Sequence, residues 1–230
     1  MTTLALLRLL QLADSAFPAG AYAFSDGLET LVVRGEVRDA GDLRAFLHGQ
    51  LVQGWGRCDP GACALAWAVT DDAGAGGAAH PGLERLDALL DLLKPVASTR
   101  NASARVGVNV MRAAGRLWPQ LVPGPGGRAV GARHHATAFG LVARQLGATQ
   151  EDAVAAFVSG WLLGRAVSAT RLMRLGGMDA QRAVSDLDGA ALACVRAALT
   201  VTPDDLGGFA PTLDVAACEQ ASLDVRLFQS

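Results

Sequence analysis

The stretch Phe17-Pro18-Ala19-Gly20-Ala21-Tyr22-Ala23-Phe24-Ser25-Asp26-Gly27-Leu28-Glu29 joins two segments with helical patterns and is the most distinctive part of the chain. It holds the only tyrosine of the protein, two phenylalanines, a proline and two glycines. Proline fixes its own φ, and glycine reaches backbone conformations closed to other residues, so the connection should have one defined shape. The residues alone predict an aromatic-anchored turn between two helices.

Composition favours an all-α protein. The chain has 230 residues, of which 51% are hydrophobic, chiefly alanine, leucine and valine, while aromatic residues make up 5% and isoleucine is absent. Alanine and leucine lead the helix propensity scale, and the β-branched and aromatic residues that favour strands are few. No internal repeat or second-domain boundary is visible, and a uniform chain of this length can form one core. We therefore predict one all-α domain over residues 1–230, a bundle of about eight to ten helices.

The charge pattern bears on possible partners. The formal net charge is -2, acids and bases are interspersed, and Lys94 is the only lysine among the 20 basic residues. No basic stripe is present, so neither nucleic acid nor an anionic membrane is expected as a partner. Charged residues make up only 18% of the chain, which indicates that part of the surface meets other proteins.

Cysteine spacing and hydropathy indicate a cytoplasmic protein. The four cysteines are irregularly spaced and form no CxxC motif, as expected of reduced thiols. Residues 4–12 are leucine-rich like a secretory signal, but Arg8 and Gln11 interrupt them and no basic segment precedes them. No uncharged apolar segment reaches the length of a membrane span. We expect a cytoplasmic protein without a membrane partner.

Hydrophobic periodicity and capping residues predict the helix positions. The predicted helices cover about residues 4–13, 26–35, 42–53, 59–69, 83–94, 97–117, 132–146, 149–175, 179–198 and 214–222. The predicted N-terminal caps or helix starts are Asp26, Asp42, Asp59 and Thr149. Residues 71–82 and 118–131 are predicted as loops. The tail, from about residue 200 to residue 230, loses the periodic pattern, and we expect it to be mobile unless a partner orders it.

Two predicted helices have unusual faces. The helix over residues 4–13 carries leucines on nearly every side, so the core or a partner should cover it. The helix over residues 97–117 has a polar face instead, which is either solvated or an interface. Its polar residues are Arg100, Asn101, Ser103, Arg105, Asn109 and Arg112. Near the end of the helix over residues 149–175, Arg165, Arg171 and Arg174 suit the negative end of a helix dipole.

Recognisable catalytic and metal-binding motifs are missing. A P-loop requires GxxxxGK[ST], and the only lysine lies in Leu93-Lys94-Pro95. His134 and His135 are adjacent, so on a helix their side chains point about 100° apart and do not readily share one metal ion. Cys58 and Cys63 also make a poor metal pair, and no nucleophile with a neighbouring base is evident. We predict that the chain is not an enzyme and has no metal site.

Five segments, in order along the chain, resemble the UreF family of urease accessory proteins. Residues 9–29 are similar to the family's N-terminal signature, which reads roughly LLQLasp-x-LPvGgFsyS-x-GLE, although Phe17 stands for the usual leucine. Residues 99–107 resemble its TRexS-x-x-x-G helix, and residues 134–140 resemble its H-x-P-x-x-FG segment with Ala136 in place of the proline. Residues 175–182 are similar to its LGQtdgQr segment, and Asp214 with residues 226–230 to its D…RLFxS tail.

The resemblance implies an all-α, cytoplasmic homodimer without catalytic activity of its own. Members of the family bind the accessory protein UreD, also called UreH, and recruit the GTPase UreG to the urease apoprotein. Nickel and GTP would act through that complex, so no cofactor is expected on this chain. Its implied role is that of a scaffold and regulator of GTP hydrolysis during nickel insertion.

Positions that match the family's motifs, together with polar residues of the predicted helices, are the predicted partner-binding residues. They are Pro18, Gly20, Tyr22, Phe24, Ser25, Gly27, Glu29, Arg100, Ser103, Arg105, Arg171, Gln181, Arg226, Leu227 and Phe228. In the opening turn we expect Gly20 and Gly27 to hold the backbone and Phe17 to pack inward. We expect Tyr22 or Phe24 to be partly exposed or covered by a partner.

Two other functions stay open on the residues themselves. The chain could be a small helical enzyme or ligand-binding protein that uses a pocket under the aromatic turn. It could also carry nickel directly through His134, His135 and the cysteines.

Overall fold

The described residues fold into eleven α-helices with no β-strand among them. The structure is a computed structural model that describes residues 1–69, 81–122 and 132–228, without the side chain of Tyr22. The helices are α1 (Thr3–Ala13), α2 (Leu28–Val33), α3 (Ala40–Val52), α4 (Asp59–Ala68), α5 (Pro81–Leu93), α6 (Ala97–Leu117), α7 (His135–Gln145), α8 (Gln150–Leu172), α9 (Gly177–Ser185), α10 (Asp188–Ala198) and α11 (Pro211–Glu219). Short 3₁₀ helices cover Ala21–Ala23, Trp55–Arg57, Pro203–Asp205 and Gln220–Ser222. The all-α prediction is confirmed.

One predicted helix, over residues 179–198, is in fact two helices. The amide of Asp186 donates to the carbonyl of Arg182, and that of Leu187 donates to the carbonyl of Val184, so α9 ends in a tight turn. Leu187 is buried at this break. On either side of this break, α9 and α10 both pack against α3 and α8, and α10 also packs against α4. The predicted loops over residues 71–82 and 118–131 lie largely outside the described residues.

Helix α8 is the central element of the bundle. It packs against α1, α4, α7, α9 and α10, while α7 packs against both α4 and α6. Small residues allow these helices to approach closely. A Cβ at Gly140 would lie 2.2 Å from the carbonyl oxygen of Cys63, and a Cβ at Gly107 would lie 2.2 Å from that of Arg133. The alanine- and glycine-rich composition therefore serves tight helix packing as well as helix propensity.

Helix α8 is also long and apolar enough to cross a membrane by length and composition. Of its most apolar 18-residue window, 56% is buried inside the bundle. The buried guanidinium of Arg165 lies in the same helix. A core helix of a globular protein has this character, so the length alone is weak evidence for a membrane span.

The predicted caps were right at one helix and wrong at others. Thr149 caps α8, since its hydroxyl accepts a hydrogen bond from the amide of Asp152 at 3.1 Å. Helix α3 begins two residues before the predicted start at Asp42, because Asp39 accepts from two amides of the first turn. Asp59 is the first residue of α4 rather than its cap. Asp26 does not cap α2, because Gly27 occupies the cap position in a left-handed conformation.

Candidate functional site

The opening turn is held by its glycines and by aromatic packing. Gly20 and Gly27 have φ values of 77° and 85°, which favour glycine, as predicted. Phe17 is buried and stacks on Trp118 at a centroid distance of 6.1 Å. Phe24 is also buried, under the guanidinium of Arg105 at 4.8 Å. Of the two aromatic residues expected to be partly exposed or covered by a partner, Phe24 is covered by the chain's own helix α6. The expectation stays a prediction for Tyr22, whose side chain lies outside the described part of the chain.

Long-range hydrogen bonds tie the turn to α6 and α8. Arg165 of α8 donates to the carbonyls of Phe24 and Ala21. Asn109 of α6 donates to the carbonyl of Ala19 at 3.1 Å. Asp26 accepts from the indole of Trp161 at 3.0 Å and pairs with Arg165 at 3.2 Å. Arg165 thus holds the turn rather than serving the C-terminal dipole of its helix.

A buried polar cluster, which we call the tail clamp, joins the turn to the C-terminal tail. It consists of Ser25, Glu29 and Gln220. The Glu29 carboxylate accepts from the Gln220 side chain at 2.7 Å and from the amides of Leu227 and Phe228 at 2.6 and 3.3 Å. The Ser25 hydroxyl donates to Gln220 at 3.2 Å. The tail up to residue 228 therefore packs on its own chain, and its ordering by a partner stays a prediction.

The tail clamp is supported by packing of the last described side chain. Phe228 is buried, and the guanidinium of Arg171 in α8 lies 5.6 Å from the centre of its ring. Arg226 and Leu227, by contrast, are exposed. The backbone and Phe228 attach the tail, which leaves these two side chains free to meet another protein.

Several predicted contacts of the polar face of α6 are internal. Arg100 donates to the carbonyl of Lys94 at 2.7 Å, so it caps the end of α5. Ser103 lies 3.0 Å from Nδ1 of His134. Arg105 covers Phe24. This face therefore contributes to folding, and its role as an interface stays a prediction.

The predicted partner-binding residues do not form one surface. Phe24, Ser25, Gly27, Glu29 and Phe228 are buried, while Gly20, Arg100 and Ser103 are half-buried. Pro18, Arg105, Arg171, Gln181, Arg226 and Leu227 are exposed. The buried residues shape the turn and the tail: Phe24 lies under α6, whereas Ser25 and Glu29 bind the tail and would reach a partner only if the tail moved.

The two histidines have separate roles. Both ring nitrogens of His134 lie near polar partners, Nδ1 3.0 Å from Ser103 and Nε2 3.1 Å from Asp91, so neither is left for a metal ion. The ring of His135 lies edge-on to Phe139 and Phe157, and burial lowers its pKa to about 4. Among residues 1–69, 81–122 and 132–228, no group of three His, Cys, Asp or Glu side chains could hold a metal ion.

The cysteines also argue against direct nickel binding. Cys58 and Cys63 are buried, and burial raises the pKa of the Cys58 thiol to about 12 and that of Cys63 further. Metal ions bind the thiolate, which such burial disfavours. The geometry therefore does not support a nickel carrier built from these cysteines and histidines.

Asp87 is a key residue that the sequence reading missed. It is buried in α5, where it accepts hydrogen bonds from the amides of Arg133 and His134 at 2.6 and 3.1 Å and from the Thr137 hydroxyl at 2.7 Å. It therefore anchors the segment that leads into α7 to helix α5. The sequence does contain a sign that Asp87 is buried. Asp87 lies four residues after Leu83, which places it on the apolar face of its helix.

A polar cavity of about 210 Å³ lies beneath the opening turn. The turn, α6, α7, α8 and the segment leading into α11 line it. Two buried ion pairs face it: Lys94 with Asp59 at 2.6 Å, and Arg165 with Asp26 at 3.2 Å. The location agrees with the pocket expected under the aromatic turn.

Comparison with known proteins agrees with the resemblance seen in the sequence. Residues 37–188 match the model of the UreF family. The chain is 32% identical over 235 residues to the urease accessory protein UreF of Chromohalobacter salexigens, covering 99% of this chain and 95% of that protein. It is 32% identical to the UreF protein of Jannaschia sp. and 33% identical to that of Rhodopseudomonas palustris strain BisB18, with at least 92% of each relative covered.

These matches extend over the opening turn, the bundle and the tail alike. Together with the all-α structure, they show that the chain belongs to the UreF family and is a urease accessory protein rather than an enzyme.

Proposed function

We propose that this chain is a cytoplasmic, homodimeric adaptor that binds UreD (UreH) and recruits the GTPase UreG to the urease apoprotein. Nickel and GTP act through that complex, and this chain modulates the hydrolysis of GTP while nickel is inserted. The observation that carries the proposal is similarity to urease accessory proteins over 98–99% of the chain.

Exposed apolar residues support a role in protein assembly. In α1, Ala5, Leu9 and Leu12 pack into the core, whereas Leu4, Leu7 and Leu10 are 54%, 60% and 58% exposed on the outer face. An apolar face of this kind is typical of a surface that another protein covers. The exposed Leu227 of the tail adds a second apolar contact.

A pull-down with UreD tests the contribution of the tail. We expect UreD to retain the full chain and to lose a chain truncated after Pro211. Glu29→Ala keeps the tail sequence but removes the acceptor of its two amides, so it should weaken retention several-fold. The matched control is Glu36→Ala, since Glu36 is an exposed carboxylate outside the tail clamp. Undiminished retention of the truncated chain would refute the role of the tail.

Urease activation in cells tests the adaptor as a whole. Cells lacking only this gene should make urease with little nickel and little activity, and the intact gene should restore both. Nickel-loaded urease in the deletion strain would overturn the proposal.

Two purified-protein measurements test the finer points. The rate of GTP hydrolysis by UreG should change when this chain and UreD are added, and an unchanged rate would remove the regulatory role. Light scattering should give twice the chain mass of 23.7 kDa, and a monomer mass would contradict the homodimer.

A further inference from the structure

The cavity beneath the opening turn is large enough for a small organic molecule. Its volume is about 210 Å³, and an apolar cavity of about 150 Å³ can take up benzene. One wall is aromatic: Trp55 stacks on Trp161 at 4.6 Å and lies 5.3 Å from Phe157. A flat ring could stack against this wall.

Polar groups that also line the cavity offer hydrogen bonds without net charge, and one of them, His135, lies against Phe157 of the aromatic wall. Lys94 and Arg165 each already face a carboxylate, that of Asp59 or Asp26. The Lys94 ammonium donates one hydrogen bond among the described residues, to Asp59, so two of its three N–H groups stay available. The ring nitrogens of His135 have no hydrogen bond among the described residues, and the ring is neutral at neutral pH. Such a site provides both donors and an acceptor.

A glycine keeps the cavity open. Gly164 is buried in the middle of α8 and lines the cavity, yet a Cβ at this position would meet no described atom of another element within 4 Å. One turn earlier, a Cβ at Gly160 would lie 2.9 Å from the carbonyl oxygen of Ala13, so close packing explains that glycine. No contact with the described part of the chain explains Gly164, although glycine in a helix interior is about 1 kcal/mol less favourable than alanine. The helix thus leaves space that alanine could fill with a gain in stability.

We propose that this cavity is a binding site for a small, flat, uncharged molecule, an aromatic or heteroaromatic amide in chemical class, which packs against the aromatic wall of Trp55, Trp161 and Phe157. Its carbonyl accepts from Lys94, and its N–H donates to His135. A charged ligand is disfavoured, because both cations of the site are already neutralised and an added ion would be buried without a counter-charge. Two further carboxyl groups line the cavity, those of Asp14 and Asp214. Asp14 is exposed, so solvent screens its charge, and burial raises the pKa of Asp214, which disfavours its charge.

Three molecules of nearly equal size and different charge test the ligand class on the intact chain. Benzamide is neutral, benzoate is an anion and benzamidinium is a cation. We expect benzamide to bind by isothermal titration and to raise the melting temperature, with an affinity at least about tenfold above that of either ion. Tighter binding of benzoate or benzamidinium would overturn the neutral class, and no binding of benzamide at millimolar concentration would overturn the site.

A cavity-filling variant locates the binding. Gly164→Leu places a side chain in the open space and should reduce benzamide affinity at least about tenfold without lowering the melting temperature. The control is Gly49→Leu, since Gly49 is also inside a helix, has nothing within 4 Å of its Cβ position and does not line the cavity. Equal benzamide affinity in both variants would refute this location. These measurements use no urease component, so their outcome is separate from that of the adaptor proposal.

Discussion

Replacing Asp87 by alanine should destabilise the bundle strongly, because this buried carboxylate of α5 holds the start of α7 in place. The substitution leaves the amides of Arg133 and His134 without their acceptor. The Thr137 hydroxyl is less affected, since it also lies 2.9 Å from the carbonyl of His134. Each orphaned buried donor costs about 1–3 kcal/mol, so the loss should be about 4 kcal/mol. That is a large part of a typical unfolding free energy of about 5–15 kcal/mol.

Urea unfolding followed by circular dichroism measures this loss. Asp87→Asn keeps one carbonyl acceptor and should cost about half as much as alanine. The control is Arg85→Ala on the exposed side of α5, which should change the unfolding free energy by less than about 0.5 kcal/mol. A loss below about 1 kcal/mol for Asp87→Ala would show that water or a local shift replaces the carboxylate, and the proposed anchoring of α7 by Asp87 would be refuted.

Three further predictions concern packing, pH and thiol chemistry. Gly140→Ala should lower the free energy of unfolding by about 1–3 kcal/mol, because the added Cβ would lie 2.2 Å from the Cys63 carbonyl oxygen. In the same thermal melt, Gly164→Ala should be neutral or stabilising. The pKa of His135 is about 4 in the folded chain, against an ordinary value of 6.5. At a pH between these two values, the unfolded chain binds a proton on His135 that the folded chain does not, so the free energy of unfolding falls as the pH drops. The loss from this group should reach about 3 kcal/mol near pH 4, and His135→Gln should show a flatter pH profile of unfolding. A thiol reagent should modify only Cys218 quickly in the native protein, and rapid loss of all thiols would contradict the burial of the other three.

Features set by neighbouring residues could be predicted from the sequence. The bounds of α6 agree with the prediction, because Pro95 precedes the helix and its periodic pattern stops at Trp118. The cap at Thr149 was found because its partner lies three residues away. The shape of the opening turn followed from Gly20 and Gly27 for the same local reason.

Features set by distant residues could not be predicted in this way. Asp26 was assigned to a cap because its neighbours allow one, but its carboxylate is engaged by Trp161 and Arg165 on α8. Likewise, the Glu29 carboxylate meets amides almost two hundred positions away. No local pattern encodes such pairs, so the tail clamp and the cavity became visible only in three dimensions.

The ion pair of Lys94 has a practical consequence for mapping the assembly by chemical cross-linking. Lys94 is the only lysine of the chain, and its side chain is only 14% exposed while it contacts Asp59. Reagents and enzymes that acylate lysine side chains therefore find no well-exposed target here, and amine-directed cross-linkers would report this chain only through an α-amino group. Carboxyl- and arginine-directed reagents would report its neighbours instead, because the chain has 22 acidic residues and 20 basic residues, all but one of them arginine.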